Sequence, residues 1–171
     1  MPLDFPSSRF SITSLVRLVQ DHSLKDQIMF DEIVNMVKHQ LGNNPQVASS
    51  LPPEQQDAVH HEVATQITHG LANQSAEQGG IGGVLSQLQN ATTSGNPVVN
   101  AIEGGVVSSL ASKFGLPPMV TGAIAASLPG LLQKFAHKAN DPNDQSITPG
   151  GLNDMFSKFG GGALGNIFNR H

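Results

Sequence analysis

The sequence predicts an all-α fold, a compact multihelical bundle of about six or seven short helices. Apolar residues recur every three or four positions along most of the 171-residue chain, which is the spacing of one helix face. Asn-Pro, Pro-Pro and Thr-Pro pairs precede several of these segments, as is typical of helix starts. No segment alternates apolar and polar residues for long enough to predict a strand.

The first clear helical pattern begins at Met29 and should end at Gly42, a residue type that commonly terminates helices. Its apolar residues share one face, namely Phe30, Ile33, Val34, Val37 and Leu41. Residues 1–28 carry only a weaker amphipathic stretch. We therefore interpret 1–28 as an N-terminal extension, with Met29 as the natural start, and 29–76 as an N-terminal helical part.

A second helix is predicted after Pro52-Pro53-Glu54, because proline and an acidic residue both suit the first helical turn. The preceding Asn43-Asn44-Pro45 is expected to be a loop. The apolar stripe of this helix repeats every four residues: Val59, Val63, Ile67 and Leu71. The opposite, polar face is expected to carry Gln56, His60, Thr65 and Asn73.

Residues 77–95 are interpreted as a Gly-rich linker with a short helix near Val84–Asn90. A C-terminal helical core should then occupy residues 96–160. Asn96 and Pro97 give a strong start signal, with Asn as the N-cap and Pro in the first turn. The face that follows is Val99, Ile102, Val106, Leu110 and Phe114, and Gly115 should end the helix.

Gly104 and Gly105 lie in the middle of this helix, where each glycine costs about 1 kcal/mol relative to alanine. Two explanations are equally weighted. Another helix approaches closely at the missing side chains, or the helix is locally bent.

The next helix should begin at Pro117-Pro118 and break or kink near Ser127, because Pro129 has no N–H to donate. Residues 140–144, Asn-Asp-Pro-Asn-Asp, predict a turn. Thr148 and Pro149 then form a good helix start, with Ile147 positioned to contact Leu152. The core face of this last helix is Leu152, Met155, Phe156 and Phe159, and residues 161–171 are predicted to be a flexible Gly-rich tail.

Composition limits the classes of function. Charged residues make up 13% of the chain, about half the usual share, and the formal net charge is −4. The basic residues form no run, which disfavours nucleic acid as a partner. The absence of cysteine excludes disulfides, thiolate zinc sites and cysteine nucleophiles. No signal peptide or transmembrane segment is predicted, so we expect a cytoplasmic protein.

Three blocks carry a family resemblance. They are LPPEQQDAVHHEVATQITHGLAN at 51–73, GGVVSSLASKFGLPP at 104–118 and LPGLLQKFAHKANDPNDQSITPGGLNDMFSKFGG at 128–161. Together they resemble the YidB-like family of uncharacterised bacterial proteins, most clearly at the Phe114-Gly115-Leu116 turn and the turn at 140–144. The resemblance implies a multihelical bacterial protein over roughly residues 29–162. Because that family has no established activity, it implies no catalytic, cofactor-binding or metal-binding residue.

The segment 106–128 has the outline of a helix-turn-helix around Gly115. A DNA-reading helix must present polar or basic groups to base edges, but this second helix offers Met119, Val120, Thr121 and Ala123. We therefore favour two packed core helices.

Other motifs also favour structural interpretations. A calcium loop at Asp141, Asn143 and Asp144 lacks the required glycine and glutamate. His61 and His69 are eight residues apart, unlike zinc-binding helices, so the seven histidines are expected on the surface. The segment 79–83, Gly-Gly-Ile-Gly-Gly, lacks the Gly-Lys-Ser/Thr ending of a phosphate loop.

The sequence therefore predicts no catalytic, cofactor or metal site. The leading hypothesis is a non-catalytic helical interaction module that forms homo-oligomers or binds a protein partner. A weakly charged surface supports this hypothesis, because copies with few charges repel each other weakly. One alternative is a nucleic-acid-binding protein that uses segment 106–128, and another is an unrecognised hydrolase or ligand-binding pocket between helices.

Overall fold

The computed structural model describes the backbone of residues 5–90 and 95–157, and the side chains of residues 24–90 and 95–157. These residues form seven helices and no strand, which confirms the all-α prediction. In chain order the helices are α1 Phe5–Gly42, α2 Pro45–Ser50, α3 Pro53–Glu77, α4 Ile81–Gln89, α5 Pro97–Phe114, α6 Pro118–Ala139 and α7 Pro149–Phe156. The predicted tail at 161–171 and the core position at Phe159 lie outside the described residues.

All seven helices contribute to one connected apolar core. Helices α3 and α5 make the most extensive contact, and α6 packs against α5, α4 and α1. The predicted stripe of α3 is fully buried, as are Val99, Ile102, Val106 and Leu110 of α5. The periodic spacing of apolar residues therefore identified the buried faces of both central helices correctly.

Helix starts depend on proline and on neutral capping side chains. Five helices have proline in their first turn: α2, α3, α5, α6 and α7. The Asn96 side chain accepts a hydrogen bond from the Val98 N–H at 2.9 Å, and the Thr148 hydroxyl accepts one from the Gly151 N–H at 3.1 Å. Both satisfy N–H groups that have no partner within the helix, as predicted.

Asn43 and Asn44 form the predicted loop after α1, but Pro45 already begins the short helix α2. The Asn44 carboxamide oxygen accepts from the Gln46 N–H at 3.1 Å, and its amide donates to the Ser127 hydroxyl of α6 at 3.1 Å. One side chain thus caps α2 and ties it to α6. A six-residue helix with one buried residue, Val47, is too short to show a periodic pattern in the sequence.

Three other boundaries differ from the sequence predictions. Helix α1 continues upstream of Met29 as far as Phe5, and α4 begins at Ile81 rather than at Val84. Helix α6 runs through Pro129 from Pro118 to Ala139 without the predicted break. Buried residues on both sides of the proline, including Leu128 and Leu131, hold the α6 segments in one continuous packed face.

The tight contact of a glycine between α3 and α5 is at Gly70 of α3, not at Gly104 or Gly105 of α5. A Cβ at Gly70 would lie 2.6 Å from Cγ1 of Ile102, whereas a Cβ at Gly104 would meet nothing within 4 Å. Ile102 is fully buried, so it has no free space to move into. The missing side chain at Gly70 therefore sets the distance between α3 and α5.

This difference predicts opposite effects for two Gly-to-Ala changes. Gly70→Ala should lower the free energy of unfolding by up to about 2 kcal/mol, because overpacking costs about 1–3 kcal/mol and exceeds the gain of about 1 kcal/mol in helix propensity. Gly104→Ala should raise it by about 0.5–1 kcal/mol, since only the propensity gain applies. Urea unfolding of both variants provides the measurement. Two variants that shift in the same direction would contradict the packing described for Gly70.

Candidate functional site

Helices α5 and α6 form the predicted helix–turn–helix pair around Gly115. Gly115 adopts the left-handed conformation with φ 60°, and its N–H donates to the Ala111 carbonyl at 3.1 Å. In α6, Val120, Ile124 and Leu128 face the core. The side facing away from the core presents Met119, Gly122 and Ala126, which offer neither charge nor hydrogen-bonding side chains to a base edge.

The outward side of α5 is built from small residues. Ala101, Gly104, Ser108 and Ala111 are exposed and recur every three or four positions, so they share one helix face. We call these four residues the α5 outward face, and we call Met119, Gly122 and Ala126 the α6 outward face. Met119 is 81% exposed, the largest value among the exposed large apolar side chains.

Charge is nearly absent from the part of the chain between the end of α3 and the second half of α6. Between Glu77 and Lys134 the charged residues are Glu103 and Lys113. Glu103 is half-buried, and burial raises the pKa of its carboxyl group. The Lys113 ammonium is bound by Glu62 of α3, so neither charge lies on the outward faces defined above.

Glu62 is the centre of a polar network that joins α3 to α5. Its carboxylate accepts hydrogen bonds from Lys113 at 2.8 and 2.9 Å, from Gln66 at 2.9 Å and from the Ser109 hydroxyl. Burial acts to raise the pKa of Glu62, but these hydrogen bonds outweigh burial and hold the pKa below its usual value. These hydrogen bonds occupy the Glu62 carboxylate, so this carboxylate is not free to act as a general acid or base.

The histidines do not all lie on the surface, and the prediction for His60 is wrong. His60 lies on the buried side of α3 and is 8% exposed, and its Nδ1 has no hydrogen-bond partner in the described part of the chain. Its neighbour His61 contacts the Phe30 ring with 5.4 Å between ring centroids. The sequence spacing placed His60 on the polar side because the buried face of α3 is wider than the four-residue stripe indicated.

Acidic and histidine side chains do not cluster into a metal site anywhere in residues 24–90 and 95–157. At the predicted turn, Asp141 Oδ1 accepts from the Asn143 N–H at 2.9 Å. Asp144 Oδ1 accepts from the Ser146 N–H at 3.0 Å, while Asp144 Oδ2 lies 3.5 Å from the Lys138 ammonium. These carboxylates stabilise the turn before α7, in line with the interpretation as a turn rather than a calcium loop.

The Gly-rich segment 79–83 forms a tight connection from α3 into α4. Gly79 and Gly80 adopt positive φ values of 79° and 129°, which favour glycine. The Gly80 N–H donates to the Ser75 carbonyl at 2.7 Å. A Cβ at Gly83 would lie 2.8 Å from the Gln78 carbonyl oxygen. Backbone geometry therefore accounts for Gly79, Gly80 and Gly83.

Two further findings bear on function. Family models, curated protein sequences and solved structures give no match to this chain. Among the described residues, none of the helices combines the length and the hydropathy needed to cross a bilayer. The interpretation of function therefore depends on the chemistry of the surfaces described above.

Burial of His60 predicts a pH dependence of stability. Burial lowers the pKa of His60 below its ordinary value of 6.5, the nearby Lys38 ammonium lowers it further, and Asp57 opposes both. Between the lowered pKa and 6.5 the unfolded chain binds more protons than the folded chain, so stability should fall as the pH is lowered through this range. Urea unfolding at a series of pH values from about 7.5 to about 5 measures the effect, because this range extends above and below the ordinary pKa of histidine.

The variant His60→Leu should flatten this pH dependence, because leucine cannot acquire a charge inside the core. His137→Gln is the matched control, since His137 is exposed on α6 and keeps contact with water in the folded chain. An unchanged pH profile in His60→Leu would refute the assignment of the effect to His60.

Proposed function

We propose that this protein is a non-catalytic helical interaction module that self-associates through the outward faces of α5 and α6. The observation that carries the proposal is the combination of exposed small residues, an exposed Met119 and the lack of charged side chains on the outward faces of α5 and α6. The partner to which the proposal commits is a second copy of the same chain.

The exposed glycines support close approach by another helix. Gly104 and Gly122 lie within α5 and α6, and a Cβ on either would meet nothing within 4 Å. In the isolated chain each costs about 1 kcal/mol relative to alanine, with no packing contact to offset the cost. A second helix packed against these positions would gain contact with backbone that a side chain would otherwise cover.

The distribution of charge favours a second copy over a charged partner. The whole chain has a formal net charge of −4, so two copies repel each other through their acidic surfaces. In a two-fold symmetric pair the same patch meets itself, and any charge on the patch would meet a like charge. The outward faces of α5 and α6 have no charged residue, which removes this repulsion.

The family and the compartment are also part of the proposal. The resemblance of segments 51–73, 104–118 and 128–161 supports membership of the YidB-like bacterial family, and a location in the cytoplasm fits the cysteine-free composition. The alternative, nucleic-acid binding through segment 106–128, has less support because Lys113 is already bound by Glu62. A gel shift at low salt, where electrostatic binding is strongest, separates the two functions.

The central prediction concerns Met119. Met119→Lys should weaken self-association by at least about tenfold, because burying an unpaired ammonium in an apolar contact costs more than 1.4 kcal/mol, the equivalent of about tenfold in affinity. Light scattering of the wild-type and variant chains at a low and a high concentration measures the effect.

Leu24→Lys is the matched control. Leu24 is an exposed apolar residue of α1, 53% exposed, and the substitution adds the same charge outside the outward faces. It should leave self-association unchanged. A wild-type chain that stays monomeric at the high concentration, or equal losses in both variants, would rule out the proposed surface.

A further inference from the structure

A polar groove lies between α1 and α6, on residues that the outward faces do not include. Its volume is about 550 Å³, which falls within the range of about 300–1,000 Å³ typical of small-molecule pockets. Helix α1 contributes Glu32, Asn35 and His39 among its lining residues, and α6 contributes Lys134 and Lys138. Lys134 and Lys138 lie one helical turn apart on α6 and face side chains of α1, of which Glu32 is the acidic one.

The two lysines differ in how far their charge is compensated. The Lys138 ammonium forms a hydrogen-bonded ion pair with Glu32 and lies 3.5 Å from the Asp144 carboxylate. The Lys134 ammonium donates to the neutral Gln40 side-chain oxygen at 2.9 Å and forms no ion pair with any described carboxylate. Because an ammonium has three N–H donors, Lys134 retains both its charge and donors for a ligand.

The remaining lining residues suit an organic molecule better than a bare inorganic anion. Asn35 and His39 are exposed and offer amide and imidazole groups for hydrogen bonds. Met36 is partly buried against the core and gives the groove an apolar contact. A volume of about 550 Å³ exceeds what a phosphate or sulfate ion would fill.

We infer that the α1–α6 groove binds a small organic acid, with its carboxylate on the Lys134 ammonium and its body between Met36 and the polar side chains of α1. The Glu32–Lys138 ion pair neutralises the second lysine, so the site accepts one anionic group rather than two. This inference is independent of the proposed self-association, because none of its residues belongs to the outward faces of α5 and α6.

The test is a titration of the isotope-labelled full chain with phenylacetate, followed by two-dimensional amide NMR. We expect saturable shifts confined to amides near residues 32–40 and 134–138. Lys134→Gln should weaken the apparent affinity by about tenfold, since it removes a charge-assisted hydrogen bond. Lys25→Gln is the control, because Lys25 is exposed on α1 outside the groove and the substitution changes net charge equally.

Two further probes make the test specific. Phenylacetamide, which has the same ring without the negative charge, should produce no saturable shift in the groove. Inorganic phosphate should bind more weakly than phenylacetate. Binding that persists unchanged in Lys134→Gln, an equal response to phenylacetamide, or phosphate shifts at the same sites with equal affinity would each overturn the inference. An unchanged melting temperature of Lys134→Gln confirms that the comparison is between folded chains.

Discussion

The contact between α3 and α5 determines the arrangement of the other helices. Gly70 allows Ile102 to pack directly against the α3 backbone, and the fully buried stripes of the two helices interlock around this point. The Glu62 network fixes the same pair at a second place, through Ser109 and Lys113. Because α1 packs on α3 and α6 packs on α5, a change in the spacing of the central pair would displace both outer helices.

Among the described residues, three ion pairs join one helix to another. Lys38 of α1 pairs with Asp57 of α3, Lys113 of α5 with Glu62 of α3, and Lys138 of α6 with Glu32 of α1. Each such pair contributes little to stability where it is exposed, on the order of 0–1 kcal/mol. One of them also bears on the surface, since Glu62 binds the Lys113 ammonium of α5 away from the outward face of that helix.

Features that depend on local chemistry were predictable from the sequence, whereas features that depend on packing were not. The spacing of Val59, Val63 and Ile67 identified a buried face, and Asn96 and Thr148 identified two helix starts, because periodicity and capping act within a few residues. The close approach at Gly70 and the burial of His60 depend on which helix lies opposite, and a single sequence does not contain that information. The break considered at Pro129 is absent for the same reason, since tertiary contacts keep α6 continuous through the proline. The α1–α6 groove joins residues about a hundred positions apart, so no spacing rule indicated it.

The helix starts depend mainly on the proline ring and on neutral side chains rather than on ionised groups. Five have proline in the first turn, and asparagine or threonine side chains, which do not titrate, cap three of these five, namely α2, α5 and α7. The links between helices, in contrast, include carboxylates that acid would neutralise, such as Glu62 and Glu32. Acidification should therefore weaken these carboxylate links between helices while leaving the prolines and the neutral caps at the helix starts unchanged.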